Sequence, residues 1–116
     1  MLSKKTTMKA ITVRTLKSTT HPETKKLFWF MFAGTRGGNS RIRIMSFLRD
    51  SPANANRLSI ALEMDYKGIQ HHLKTLENNN LVTKVGSKYG ITYFPSVLFE
   101  ESEAVFDEIV SKLKLV

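Results

Sequence analysis

The chain contains no cysteine. That excludes a disulfide framework, a thiolate metal site and a cysteine nucleophile, and it fits a reducing compartment. A long apolar run is missing too: the longest, Leu27 to Ala33 (LFWFMFA), falls far short of the roughly 20 residues that cross a bilayer. The same run makes a poor secretory signal, because the basic stretch before it is long and no small-residue cleavage site follows. The expectation is a cytoplasmic protein without membrane association, although the basic, Ser/Thr-rich first 26 residues also suit an organellar transit peptide.

Acids are scarce, 10 against 18 lysines and arginines, which leaves a formal charge of +8 over 116 residues. Such a balance favours an anionic partner, either nucleic acid or an acidic membrane surface. Signatures of catalysis are absent as well. No nucleophile and base stand at a useful spacing, and no carboxylate pair flanks a glycine-rich pocket signal. Gly34 to Asn39 (GTRGGN) fails the phosphate-loop pattern G-x-x-x-x-G-K-[ST], since no lysine precedes Ser40. We therefore expect no enzyme, no cofactor and no metal site, and a length of one domain with a modest core.

What is present centres on Asn54 to Leu81 (NANRLSIALEMDYKGIQHHLKTLENNNL). Leu58, Ala61 and Leu62 recur at helical spacing behind Asn56, a residue type that caps helices. Ile69, Leu73 and Leu76 mark a second stripe behind Asp65, another cap whose charge suits a helix N-terminus. Only Glu63, Met64 and Asp65 separate the two, which is the spacing of a helix-turn-helix. Outside the second stripe lie Lys67, Gly68, Gln70, His71, Lys74 and Thr75. These are groups that donate to base edges or phosphates, with one glycine permitting close approach, and no acid interrupts them until Glu77.

The flanking segments extend this pattern. Leu81 to Val85 alternates as a strand, Gly86 to Gly90 (GSKYG) turns, and Ile91 to Phe94 returns, forming a wing. Lys84, Lys88 and Tyr89 are its candidate DNA contacts; Tyr89 has the alternative of packing under the turn. Upstream, a helix over Ser40 to Asp50, capped by Asn39 or Ser40, turns Ile44, Phe47 and Leu48 inward, and Arg41 and Arg43 near its start are candidate phosphate contacts alongside Arg36. Met1 to Lys26 carries seven basic residues against Glu23 alone, a backbone-tracking arm or a solvated tail, and Lys9 to Leu16 has strand alternation.

Two further helices complete the reading. Glu23 to Ala33 is apolar almost all round, and Phe99 to Leu115 repeats Phe99, Phe106 and Leu113 at seven-residue intervals with Ile109 widening the stripe and a net charge of −3. One small domain offers limited cover for so many rings, so Phe28, Trp29, Phe32, Phe99, Phe106, Ile109 and Leu113 are the expected dimerisation residues. The alternative is that both helices fold onto their own domain. The chain thus divides into a basic arm (1–22), a winged helix domain with its preceding aromatic helix (23–95) and a C-terminal amphipathic helix (96–116), an α+β but mostly α architecture.

AGTRGGNSRIRIMSFL followed by NANRLSIALEMDYKGIQHHLKTLENNNLVTKVGSKYGITYF resembles the archaeal winged-helix regulators related to the arsenical-resistance repressors, the ArsR-like family, over Ala33 to Phe94. The resemblance implies a dimer on double-stranded DNA, with the second helix in the major groove, the wing on the flanking backbone, and His72 as the partly buried histidine common in that helix. It does not extend to metal sensing, since cysteines are absent, the last helix has no histidine, and His71 and His72 point about 100° apart on one helix. The competing reading is a winged helix used for protein–protein assembly or for architectural nucleic-acid binding without sequence readout.

Overall fold

The computed structural model describes residues 21–113, so the strand reading of Lys9 to Leu16, most of the basic arm and the last residues of the expected C-terminal helix lie outside the described residues. Helix α1 (Pro22–Phe32) opens with Pro22 in its first turn, where a missing N–H is harmless, and with Glu23 near the positive end of the dipole. It closes when the amides of Ala33 and Gly34 both donate to the Trp29 carbonyl. Phe28, Met31 and Phe32, at i, i+3 and i+4, are buried; Phe30 on the other side is 60% exposed. The sequence expectation of a helix apolar on all sides thus resolves into one buried stripe and one ring left in solvent.

Helix α2 (Gly38–Asp50) follows a tight turn in which Gly37, not Asn39 or Ser40, holds the cap position at φ 89°. Its Ile44, Met45 and Leu48 are fully buried. Helix α3 (Ala55–Leu62) is capped two residues before the expected Asn56, by Asn54, whose Oδ1 accepts from the Arg57 amide at 2.7 Å. Helix α4 (Tyr66–Asn78) is capped by Asp65 as expected, with Oδ2 accepting from the Gly68 amide at 3.0 Å. Between α3 and α4, Glu63 takes the left-handed conformation, the Met64 amide donates to the Ser59 carbonyl and the Ser59 hydroxyl donates to the Met64 carbonyl at 2.6 Å. That interlock fixes the angle between the helices.

Strands β1 (Val82–Ser87) and β2 (Gly90–Pro95) pair antiparallel with Val82 opposite Pro95 and Ser87 opposite Gly90, leaving Lys88 and Tyr89 as a two-residue turn. Gly86 stands at φ 128°, and a Cβ there would come within 1.9 Å of the Gly90 carbonyl oxygen, so only glycine fits. Ala53 and Tyr93 exchange both backbone hydrogen bonds, which ties the hairpin to the segment just before α3. A helix-turn-helix followed directly by a hairpin is a winged helix, here with one helix in front of α2 and two behind the wing.

Those last two helices correct the expectation of one long C-terminal helix. Ser96 caps α5 (Val97–Glu101), accepting from the Phe99 amide at 3.0 Å while its hydroxyl donates to the Asn80 carbonyl at 2.7 Å. The helix breaks at Ser102, which leaves helical geometry at φ −117° and ψ 20°, and α6 (Glu103–Leu113) follows. The break lets Phe99 and Phe106 converge. Phe28 stacks on Phe99 at 5.9 Å, Phe99 meets Phe106 edge-on at 5.0 Å, Phe106 meets Phe32 at 5.0 Å, and Phe32 closes the ring with Phe28 at 5.6 Å. Each of these buried rings contributes about 1.5–3 kcal/mol of transfer free energy, and the edge-on pairs add to it. Phe28, Phe32, Phe99, Phe106 and Ile109, expected at a dimer surface, are 0–1% exposed inside this chain's own core. Of that set, only Trp29, half-buried, and Leu113 reach the surface.

Candidate nucleic-acid interface

One side of α4 is committed to the core and the other is open. Ile69, Leu73 and Leu76 are at most 1% exposed, an anchor that holds the helix in place. The stripe at i, i+4 and i+7 dictates what faces out: Lys67, Gln70, His71 and Lys74 are exposed. Gly68 and Thr75, also expected on this face, lie half-buried at its flank. A Cβ at Gly68 would make only ordinary contacts with Asp65, at 3.8 and 3.9 Å, so nothing within the described residues demands a glycine there.

The wing stands beside the open face. Tyr89 at its tip is 89% exposed, which removes the alternative of packing under the turn, and Lys88 Nζ lies 5.3 Å from its ring centroid. Lys84 on β1 is exposed, and its ammonium reaches Glu77 on α4 at 3.4 Å. An exposed pair of this kind adds little stability, about 0–1 kcal/mol, but it gives Lys84 a competitor for any phosphate. Between the wing and the first turns of α4 runs an open groove of about 290 Å³, lined by Asn54, Asn56, Tyr66, Gln70, Lys88 and Tyr89 among others. Tyr66, at the head of α4, was not among the sequence candidates, and its Cβ position beside the core stripe gave no reason to single it out.

The two arginines of α2 separate. Arg43 is exposed, and its Nη2 donates to the Leu62 carbonyl at 2.6 Å, capping the last turn of α3 rather than standing free. Arg41 is only 5% exposed, which overturns its assignment as a phosphate contact. Its Nε donates to the Met31 carbonyl at 2.9 Å, its Nη2 to the Thr35 hydroxyl and the Arg36 carbonyl, and its Nη1 faces His72 Nδ1 at 3.4 Å. Burial lowers the Arg41 pKa from its ordinary value. The His72 pKa is lowered as well, first by burial, then by the charge of Arg41 and the neighbouring His71. Gly37 leaves room for this meeting, since a Cβ there would lie 2.8 Å from His72 Cε1. Arg36 remains exposed beside the turn.

Charge is distributed unevenly over the fold. The basic side chains Lys67, Lys74, Lys84 and Lys88 belong to α4 and the wing, whereas α5 and α6 carry Glu100, Glu101, Glu103, Asp107 and Glu108. Among the described residues no group of three or more His, Cys, Asp or Glu side chains could hold a metal ion, and no helix is long and apolar enough to cross a membrane.

Residues 39–84 match the model of the family described as bacterial regulatory protein, arsR family. That span runs from the start of α2 through both helices of the motif into β1. No curated protein matches the sequence. Among solved structures, the chain is similar to the transcriptional regulator HlyU from Vibrio vulnificus CMCP6, with 20% identity, a TM-score of 0.59 and coverage of 84% of this chain and 96% of that one. Reduced HlyU from Vibrio cholerae N16961 aligns at 20% identity and a TM-score of 0.58, covering 81% and 93%. A MarR family transcription regulator aligns at 18% identity and a TM-score of 0.58, covering 97% and 76%. At these identities the likeness establishes a shared winged helix fold.

Proposed function

We propose that this chain is a sequence-specific, double-stranded DNA-binding transcriptional regulator that acts as a homodimer in the cytoplasm, with α4 in the major groove and the wing on the flanking backbone. The observation that carries the reading is the open face of α4, where Lys67, Gln70, His71 and Lys74 project without an intervening carboxylate while the opposite face is locked in the core. Side chains of this kind donate to phosphates and to base edges, and a helix held rigidly from behind presents them in fixed register. Gly68 supports the same reading. It lies in the first turn of α4, its amide bonded to the Asp65 cap, and no neighbour in the fold requires a glycine there, so close approach of an outside backbone is its best justification. The arsR-family match over the motif and the regulators that share the fold support the class.

For the dimer surface, Trp29 and Leu113 remain from the residues the sequence suggested, and Phe30 and Val97 join them. Phe30 at 60% and Val97 at 67% exposure, together with Trp29 and Leu113, are the apolar side chains that α1, α5 and α6 leave at the surface. Selection of bound duplexes from a random pool at physiological salt, with sedimentation of the free protein, tests the proposal. Recovery of a two-fold motif with half-sites about one helical turn apart is the expected result. Binding without any enriched motif, vanishing as salt rises, would instead favour an architectural or assembly role.

A further inference from the structure

On the open face of α4, Gln70 is already held by a hydrogen bond to a neighbour on the same helix. Its Nε2 donates to the Tyr66 hydroxyl at 3.3 Å, one turn back. Both residues are exposed and both line the groove towards the wing. A free glutamine samples several rotamers and can offer either end of its amide, so ordering it on binding carries an entropic cost. Here Tyr66 restrains the amide beforehand and occupies one of its two N–H donors. What is left is one N–H beside the carbonyl oxygen, one donor next to one acceptor.

That remaining pattern is selective among base edges. Adenine presents an acceptor, N7, next to a donor, the N6 amino group. Guanine presents two acceptors, cytosine a donor without a partnering acceptor, and thymine an acceptor next to a methyl group. We propose that Gln70, positioned by Tyr66, reads an adenine in the major groove, with Nε2 donating to N7 and Oε1 accepting from N6. The inference rests on the reading of α4 as the major-groove helix and makes it specific. Tyr66 is a positioning residue, and Lys67 and Lys74, three places before and four after Gln70, supply the charge on either side.

The experiment is duplex selection followed by competition binding with the full chain and three variants, Gln70→Ala, Gln70→Glu and Tyr66→Phe, each checked for unchanged thermal unfolding. The wild type is expected to enrich a motif containing an A·T pair at which Gln70→Ala loses roughly ten-fold or more in discrimination while other positions keep theirs. Gln70→Glu, an acceptor without a donor, is expected to move the preference at that pair towards cytosine. Tyr66→Phe should weaken the same preference by a smaller factor and leave binding to random DNA unchanged. If the wild type enriches a motif that neither Gln70 variant alters, or if the altered position is not adenine, the adenine assignment falls while the regulator stands. A Tyr66→Phe profile identical to the wild type overturns the positioning role. Failure to enrich any motif removes the major-groove reading itself.

Discussion

Arg41 Nη1 donates to His72 Nδ1 across 3.4 Å, joining α2 to the rear of α4 with no carboxylate between them. The bond requires a lone pair on Nδ1, so the ring is neutral and carries its hydrogen on Nε2. A second proton on His72 would abolish the acceptor and set two cations side by side. Burial, Arg41 and His71 all oppose it, and the His72 pKa is lowered accordingly.

This gives stability a pH dependence of defined sign. In the unfolded chain His72 titrates at its ordinary 6.5, whereas in the folded chain it stays neutral to lower pH. Below 6.5 the unfolded state therefore binds more protons, and stability falls with pH until the lower folded value is passed. Above 6.5 His72 contributes no dependence. Thermal unfolding measured from about pH 5 to about pH 8 should show Tm falling on the acid side. His72→Gln, whose Oε1 can still accept from Arg41, should flatten that limb; an unchanged limb would place the titration elsewhere.

Arg41 serves three parts of the chain at once, the end of α1 through Met31, the turn through Thr35 and Arg36, and α4 through His72. A lysine keeps the charge but cannot spread its donors over that arc. Arg41→Lys should therefore destabilise by about 1–3 kcal/mol, the cost of leaving buried acceptors unmade. Arg41→Ala, which also opens a cavity, should cost about 2–5 kcal/mol. Urea midpoints at constant m-value measure both, and equal stability of the lysine variant would show that only the charge matters.

Gly86 should tolerate nothing else. With φ 128° and the Gly90 carbonyl 1.9 Å from a built Cβ, Gly86→Ala must open the hairpin or shift its register. The wing is anchored at its base by the Ala53–Tyr93 bridge and by buried Val82, away from Gly86, so the rest of the core should survive. Hydrogen exchange should report lost protection in β1 and β2 with α4 unaffected, and binding of DNA should weaken through the wing alone.

Much of this architecture was legible from periodicity. Ile69, Leu73 and Leu76 announce α4 and its open face, and Asp65 announces its start, because both are local rules that packing did not override. Two expectations differ from the structure, one made from residue type and one from a repeat. Arg41 falls at i before Ile44, Met45 and Leu48, on the buried stripe, and that spacing was the signal that it would turn inward while Arg43 would not. The seven-residue repeat of Phe99 and Phe106 suggested one continuous helix, but Ser96 caps at Phe99 and the break at Ser102 folds both rings onto Phe28 and Phe32. Long-range closure of that kind has no one-dimensional signature. The Tyr66–Gln70 pair was readable as an i,i+4 neighbour, but which end of the amide it would hold depends on rotamers that sequence does not carry.

The basic face makes its own quantitative demand. A lysine that neutralises one phosphate releases close to one counterion, so its loss lowers the slope of log K against log salt by about 0.9 and weakens binding to all sequences alike. Lys67→Ala and Lys74→Ala, both exposed and away from the core stripe, should each reduce the slope by about that amount without altering the selected motif. Lys84→Ala should do less, because its ammonium already lies 3.4 Å from Glu77 and must leave that carboxylate to reach DNA. Titrations of a fixed duplex over a range of salt concentrations measure all three. If the slopes are unchanged and preference shifts at one base pair instead, the lysine in question reads guanine rather than phosphate, since its ammonium can donate to O6 and N7. If neither slope nor preference changes, the DNA lies on a different face of the molecule.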